Sequence, residues 1–224
     1  MDAYCERLGP GLWAEPLNAL SNGAFLLASA VLLVGLARRT ERPPRSAWAL
    51  PALLGVVGLC SLAFHTFATT ATAALDSLSI LVYVLVGVFL LVRQGFGVRA
   101  GRAGLVTFGF AVFVIAVDGL LALAGPDLTL GGYLPALLGL VGFAVLLRSR
   151  LLGAAAAVFT VSLTLRTLDA PLCDQLPSGT HWMWHCLNAV VLTLVALHVQ
   201  GPARSPQRVR PPSTDQRYSS GSMS

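Results

Sequence analysis

The chain has 224 residues, 55% of them apolar and only 11% charged, with a formal net charge of +5. A soluble domain carries about 25% charged residues, so this composition excludes an ordinary soluble globular protein, and its apolarity excludes a disordered one. All 15 basic residues are arginine. Without lysine, chemistry that needs a lysine amine is excluded too, a retinal Schiff base or a Schiff-base aldolase included.

Seven apolar segments follow in chain order: Leu17–Leu36, Ala47–Phe67, Leu75–Val92, Leu105–Ala124, Gly131–Leu147, Leu151–Leu168 and His181–Val199. Each approaches the roughly 20 residues that cross a bilayer. They are apolar all round, without the polar face of a soluble helix. The start Met1-Asp2, followed by Glu6 and Glu15, lacks the positive opening of a cleavable signal peptide, so the first segment is expected to stay in the membrane. Gly55, Gly58, Gly87, Gly139 and Gly142 fall inside segments and predict close helix packing. No internal repeat is evident. The expected fold is an all-α integral membrane protein, a seven-transmembrane helix bundle over residues 1–200. A disordered tail rich in Pro, Ser, Arg and Gln over 201–224 follows it.

The arginines orient this bundle. Arg38, Arg39, Arg42 and Arg45 lie between the first two segments, Arg93, Arg99 and Arg102 after the third, and Arg148 and Arg150 after the fifth. Arg204, Arg208, Arg210 and Arg217 lie in the tail. With seven spans these thirteen share one side, which the positive-inside rule makes cytoplasmic. The N-terminus is then outside, with Glu6, Glu15, Asp127 and Asp174. This placement accounts for the basic charge without a nucleic-acid partner. The lysine-free, Ala/Gly/Arg-rich composition reads as that of a GC-rich bacterial genome, which makes the expected location an inner (plasma) membrane.

Polar side chains at membrane depth are functional hypotheses by default. Ser61 and His65 end the second span, Asp76 opens the third, and His181 and His185 open the seventh. Alternating span direction brings all five to the outer end. His181 and His185 are spaced i,i+4, on one helix face, as in helical zinc-protease motifs. His65 can supply a third ligand, leaving the fourth zinc position open for water. Zinc brings such a water to a pKa near ~7. Asp76 then serves as general base and proton donor, and Ser61 as donor to an oxyanion. His198 lies at the inner end of the last span and carries no role. Trp182 and Trp184 fit an aromatic belt. Asp118 and Arg166 can form a buried charge pair, Arg166 can equally pair with Asp169, and Arg166 can also hold a polar lipid head. Cys60 and Cys186 are expected to be buried thiols.

The pattern Ser61-x-x-x-His65, Asp76 eleven residues on, and His181-x-x-x-His185 with tryptophans between resembles the alkaline ceramidase family. That family lies within a wider seven-span metal-hydrolase superfamily that includes adiponectin-receptor-like and glycosylphosphatidylinositol-remodelling proteins. The resemblance covers about residues 2–199 and takes in Glu15-Pro16-Leu17-Asn18-x-x-Ser21-Asn22, and Asp169 with Cys173. It implies zinc on His65, His181 and His185, with Asp76 and Ser61 assisting hydrolysis of the amide of ceramide or a related N-acyl lipid to a fatty acid and a long-chain amine. It also implies a calcium site at Asp2, Glu6 and Glu15, where Leu8 replaces the family's asparagine and Asn18 can compensate. A disulfide between Cys5 and Cys173 is implied as well, in an oxidising outer compartment. Two rivals differ in class. A receptor-like or lipid-remodelling member of the superfamily would carry a structural or weakly hydrolytic metal. A channel or transporter would need polar residues along a pathway rather than at one end.

Overall fold

The computed structural model describes residues 4–9, 11–125 and 133–201. Asp2, Asp127, the start of the Gly131–Leu147 segment, and Arg204, Arg208, Arg210 and Arg217 with the rest of the expected tail lie outside the described residues. Among the described residues every regular element is helical: α1 (Pro16–Ser21), α2 (Gly23–Ala37), α3 (Arg45–Phe67), α4 (Thr70–Gly95), α5 (Ala100–Ala124), α6 (Tyr133–Leu146), α7 (Arg150–Leu168), a 3-10 turn at Ala170–Leu172, and α8 (His181–Gln200).

Each expected apolar segment is a helix, with α1 and α2 together forming the first. Six are long and apolar enough to cross a membrane: Pro16–Ala37, Arg45–Phe67, Thr70–Gly95, Ala100–Leu123, Arg150–Leu168 and His181–Gln200. The seventh, α6, has 14 described residues. At 1.5 Å per residue that is about 21 Å, less than the ~30 Å hydrocarbon core. Large apolar side chains face outward: Leu105 is 71% exposed, Ile115 73% and Val145 69%. Lipid solvates such a surface; water does not.

The helix ends follow from local chemistry. Ala68 adopts a left-handed conformation (φ 48°) and ends α3. Thr69 then starts α4 with a capping box, its Oγ1 accepting from Thr72 N at 3.1 Å while Thr72 Oγ1 accepts from Thr69 N at 3.0 Å. This cap starts α4 at Thr70 instead of Leu75, so Asp76 sits in the second turn rather than the first. Pro16 opens α1, where its missing N–H costs nothing. The Glu6 carboxylate accepts the next two amides, Leu17 N at 2.6 Å and Asn18 N at 2.8 Å.

α8 is the central rod. Along its length Trp184, Ala189, Leu192, Val195 and Ala196 are buried with Phe25 and Leu32 of α2, Leu54 and Val57 of α3, Tyr83 and Leu91 of α4, and Leu152 and Phe159 of α7. Tyr83 donates its hydroxyl to Leu192 O at 2.7 Å, tying α4 to α8 inside the core. Gly58 lets α2 and α3 approach. A Cβ there would lie 2.9 Å from Phe25 and Leu26 side-chain atoms, so glycine is a packing requirement of the kind expected. Gly142 does not behave so; a Cβ there meets no atom within 4 Å.

Candidate metal centre

His65 comes from the last turn of α3, and His181 and His185 from the first turns of α8. All three are buried, at 0%, 3% and 2% exposure. Their ligand atoms lie within 4.8 Å of one another, and their ring centroids are 5.3, 4.7 and 4.6 Å apart. No other group of three His, Cys, Asp or Glu residues among the described residues converges in this way.

Each ring is oriented by a neighbour. His65 Nδ1 lies 2.6 Å from Glu15 Oε2, which leaves its Nε2 buried without a partner. His185 Nδ1 is 2.7 Å from Ser21 Oγ. His181 is stacked on Tyr4, with centroids 3.6 Å apart. Metal-binding histidines characteristically have the second nitrogen fixed by a carboxylate or hydroxyl. Three clustered imidazoles, two of them with a buried nitrogen that has no partner (His65 Nε2 and His181 Nδ1), fit a divalent ion such as zinc. The i,i+4 spacing and the common depth predicted that the three histidines converge; Tyr4 and the contact of Ser21 with His185 were not anticipated.

Glu15 is at the middle of a buried network. Arg7 Nε donates to Glu15 Oε1, Asn18 Nδ2 donates to Oε2 at 3.0 Å, and Arg7 Nη2 reaches His65 O at 3.2 Å. Burial pushes the Glu15 carboxyl up, but hydrogen bonds from His65, Arg7 and Asn18, with the attraction of His65, hold it below the usual value. At the expected calcium site the described carboxylates meet protein donors. Both Glu6 oxygens cap α1 and both Glu15 oxygens bind Arg7, Asn18 and His65, while Asn18 Oδ1 is buried without a partner. The guanidinium of Arg7 pairs with the Glu15 carboxylate.

A second set of side chains completes the wall. A small cavity beside the histidines is lined by Tyr4, Ser61, Asp76, Tyr133, Arg166 and Trp184, among others. Ser61 and Asp76 share this wall, and Asp76 Oδ1 is buried without a partner. Burial pushes the Tyr4 phenol up, so it stays protonated. Trp184 is 3% exposed and packs on Tyr133 at 4.8 Å and Phe159 at 5.9 Å; it is a wall of the bundle interior, not a member of an interfacial belt. The expected ion pairs of Arg166 do not form. Its guanidinium lies over the rings of Tyr133 (4.8 Å) and Trp184 (5.7 Å), and Asp118 Oδ1 is buried without a partner.

Asp169 has a different task. It is 3% exposed. Its Oδ1 accepts Thr180 N at 2.6 Å and His181 N at 2.9 Å, the first amides of α8, and its Oδ2 accepts Cys5 N at 3.1 Å. A carboxylate there opposes the positive end of the α8 dipole and fixes the turn that carries His181. Gly179 (φ +63°) leaves the room; a Cβ would stand 2.2 Å from Asp169 Oδ1. Cys5 and Cys173 are bonded, with Cα atoms 5.1 Å apart, so the segment that carries Tyr4 and Arg7 is strapped over the histidines. Cys60 and Cys186 are free and half-buried rather than buried. His198, distant from the site, sits 2.9 Å from Ser149 Oγ.

No known protein-family model matches the chain, and no curated protein does either.

Proposed function

We propose that the protein is a seven-span membrane hydrolase with zinc on His65, His181 and His185, cleaving the amide of ceramide or a related N-acyl lipid. The observation that carries this reading is the three-histidine cluster, with His65 held on Glu15 and its Nε2 left without a partner. Three histidines with an open fourth position are a catalytic rather than a structural donor set. The amide substrate is carried by the resemblance to alkaline ceramidases.

Zinc in this position would polarise a carbonyl oxygen and acidify a water. The rest falls to the chain. Asp76 stands on the cavity wall with one oxygen free, placed to take a proton from water and return it to a leaving amine. Ser61, on the same wall, is placed to position that carboxylate or to donate to an oxyanion. Tyr4 and the strapped N-terminal segment cover the histidines and limit water. Below the site lies a cavity of ≈ 80 Å³, lined by Val84, Val88, Leu91, Leu140, Phe143 and other apolar residues, which shares Ile80 and Tyr133 with the site cavity. It suits an acyl chain.

The orientation belongs to the same reading. Arg38, Arg39, Arg42 and Arg93 gather around one groove at the end of the bundle away from the histidines. The disulfide is at the histidine end. Positive charge marks the cytoplasmic side and a disulfide the oxidising one, which supports an N-terminus outside and a C-terminus inside. The test is incubation of purified, zinc-loaded protein with a panel of N-acyl lipids, reading released fatty acid by mass spectrometry. Release from ceramide-like amides is expected; no release from any member of the panel overturns the reading.

A further inference from the structure

Arg166 is the charged residue that the proposed reaction leaves unused. It lies near the end of α7, where an arginine would ordinarily extend its long side chain out to the aqueous interface. Instead its guanidinium turns inward, over the faces of Tyr133 and Trp184 at 4.8 and 5.7 Å, and forms part of the wall that holds Asp76, Ser61, His181 and His185. The stacking fixes its plane by cation–π attraction but uses none of its five N–H donors. Among the described residues it has no ion pair and no hydrogen bond. Two nearby carboxylates are engaged elsewhere: Asp169 binds three backbone amides, and Glu15 binds Arg7 and His65. Asp76 shares the cavity wall with Arg166 and feels its attraction, but no ion pair joins them.

A cation held by two aromatic rings on a cavity wall, with no ion pair and its N–H donors unused, is prepared for an anion that arrives. The planar fork of arginine matches a carboxylate with two parallel hydrogen bonds. The surroundings narrow the class further. Tyr133, which Arg166 covers, also lines the apolar cavity that runs down between α4, α5, α6, α7 and α8. A ligand with its head at Arg166 and its body in that cavity is a single long apolar chain ending in an anionic group. We infer that Arg166 is the anion-binding residue of this site and that it takes the carboxylate of a long-chain fatty acid. The inference deepens the hydrolase reading, on which the identity of this ligand as a product rests. Water adds across the acyl carbon–nitrogen bond, the nitrogen leaves protonated as the amine, and the acyl carbon keeps both oxygens as the carboxylate that Arg166 receives. Tyr133 and Trp184, by holding the guanidinium, are positioning residues.

The test is equilibrium binding of radiolabelled palmitate to the full chain in detergent micelles. It is run metal-free after chelation so that no ion competes for the carboxylate, with hexadecanol and hexadecyl phosphate as competitors. Palmitate is expected to bind, and hexadecanol to compete at least about tenfold more weakly, the loss of one charge-assisted contact. Arg166→Gln is expected to remove the preference for palmitate over hexadecanol, and Arg166→Lys to keep part of it, since charge remains but the fork is lost. Should Arg166→Gln not fold, Arg166→Lys carries the comparison. Equal competition by hexadecanol in the wild type, or a preference unchanged in Arg166→Gln, overturns the anion site. Displacement by hexadecyl phosphate at concentrations well below palmitate's own overturns the assignment to a carboxylate in favour of an anionic headgroup. Because the assay needs neither metal nor turnover, a failure to hydrolyse N-acyl lipids would count against the hydrolase reading alone.

Discussion

His65 turns its Nδ1 toward Glu15, 2.6 Å away, so that its Nε2 faces the cluster formed with His181 and His185. A residue outside the spans thereby decides which nitrogen of a buried ring is offered to a metal. Loss of such an orienting partner typically weakens metal affinity about 10–100-fold. Glu15→Gln, which keeps shape and removes charge, is expected to weaken zinc binding by that factor, measured by competition with a chromogenic chelator. Unchanged affinity in a folded variant would show that Glu15 does not orient the ring.

Arg7 is expected to make the N-terminal segment independent of calcium. Its guanidinium neutralises Glu15 and reaches His65 O. Thermal unfolding followed by circular dichroism should therefore be the same with millimolar calcium and with a calcium chelator. Arg7→Gln strands a buried carboxylate, a change that costs about 3–5 kcal/mol, and should lower Tm. A calcium-dependent rise in the wild-type Tm would contradict the network.

Asp76→Asn tests the proton carrier. It preserves size and the contact with Ser61 but cannot accept a proton. Fatty acid release is expected to fall about 10²–10⁴-fold with zinc content unchanged. Activity close to wild type would remove Asp76 from the chemistry.

The Cys5–Cys173 bond closes a span of 168 residues. Cys5→Ser is expected to destabilise the chain by about 2–5 kcal/mol and to loosen the segment carrying Tyr4 and Arg7 from the histidines. Hydrogen exchange of residues 4–9 reads the second effect. Protection equal to wild type would mean that Asp169, through Cys5 N, holds the segment unaided.

The three histidines were legible in the sequence because helix periodicity and alternating span direction both act on it directly. The i,i+4 spacing fixed a face, and span order fixed a depth. What lay beyond was harder because it depends on side-chain direction across distant segments. The partner of Glu15 was not foreseen, since nothing in the local sequence says that Arg7, eight residues earlier, folds back onto it. Trp184 looked interfacial because its position at a helix end is common to belt residues and to residues packed inward. Asp118 and Arg166 looked like partners because both are isolated charges in apolar segments, yet Arg166 lies on Tyr133 and Trp184. One signal was available. Thirteen of the 15 arginines fit the orientation pattern, and the two it leaves over, Arg7 and Arg166, both sit at the candidate site.

Metal analysis of the purified protein is the most direct measurement of the central claim. Plasma mass spectrometry should find about one zinc per chain, as a three-histidine site implies. The His181→Ala/His185→Ala double variant should lose that zinc while its helical circular dichroism is kept. A wild-type chain that takes up no zinc, or a folded double variant that retains it, would contradict the metal centre and the hydrolase built on it.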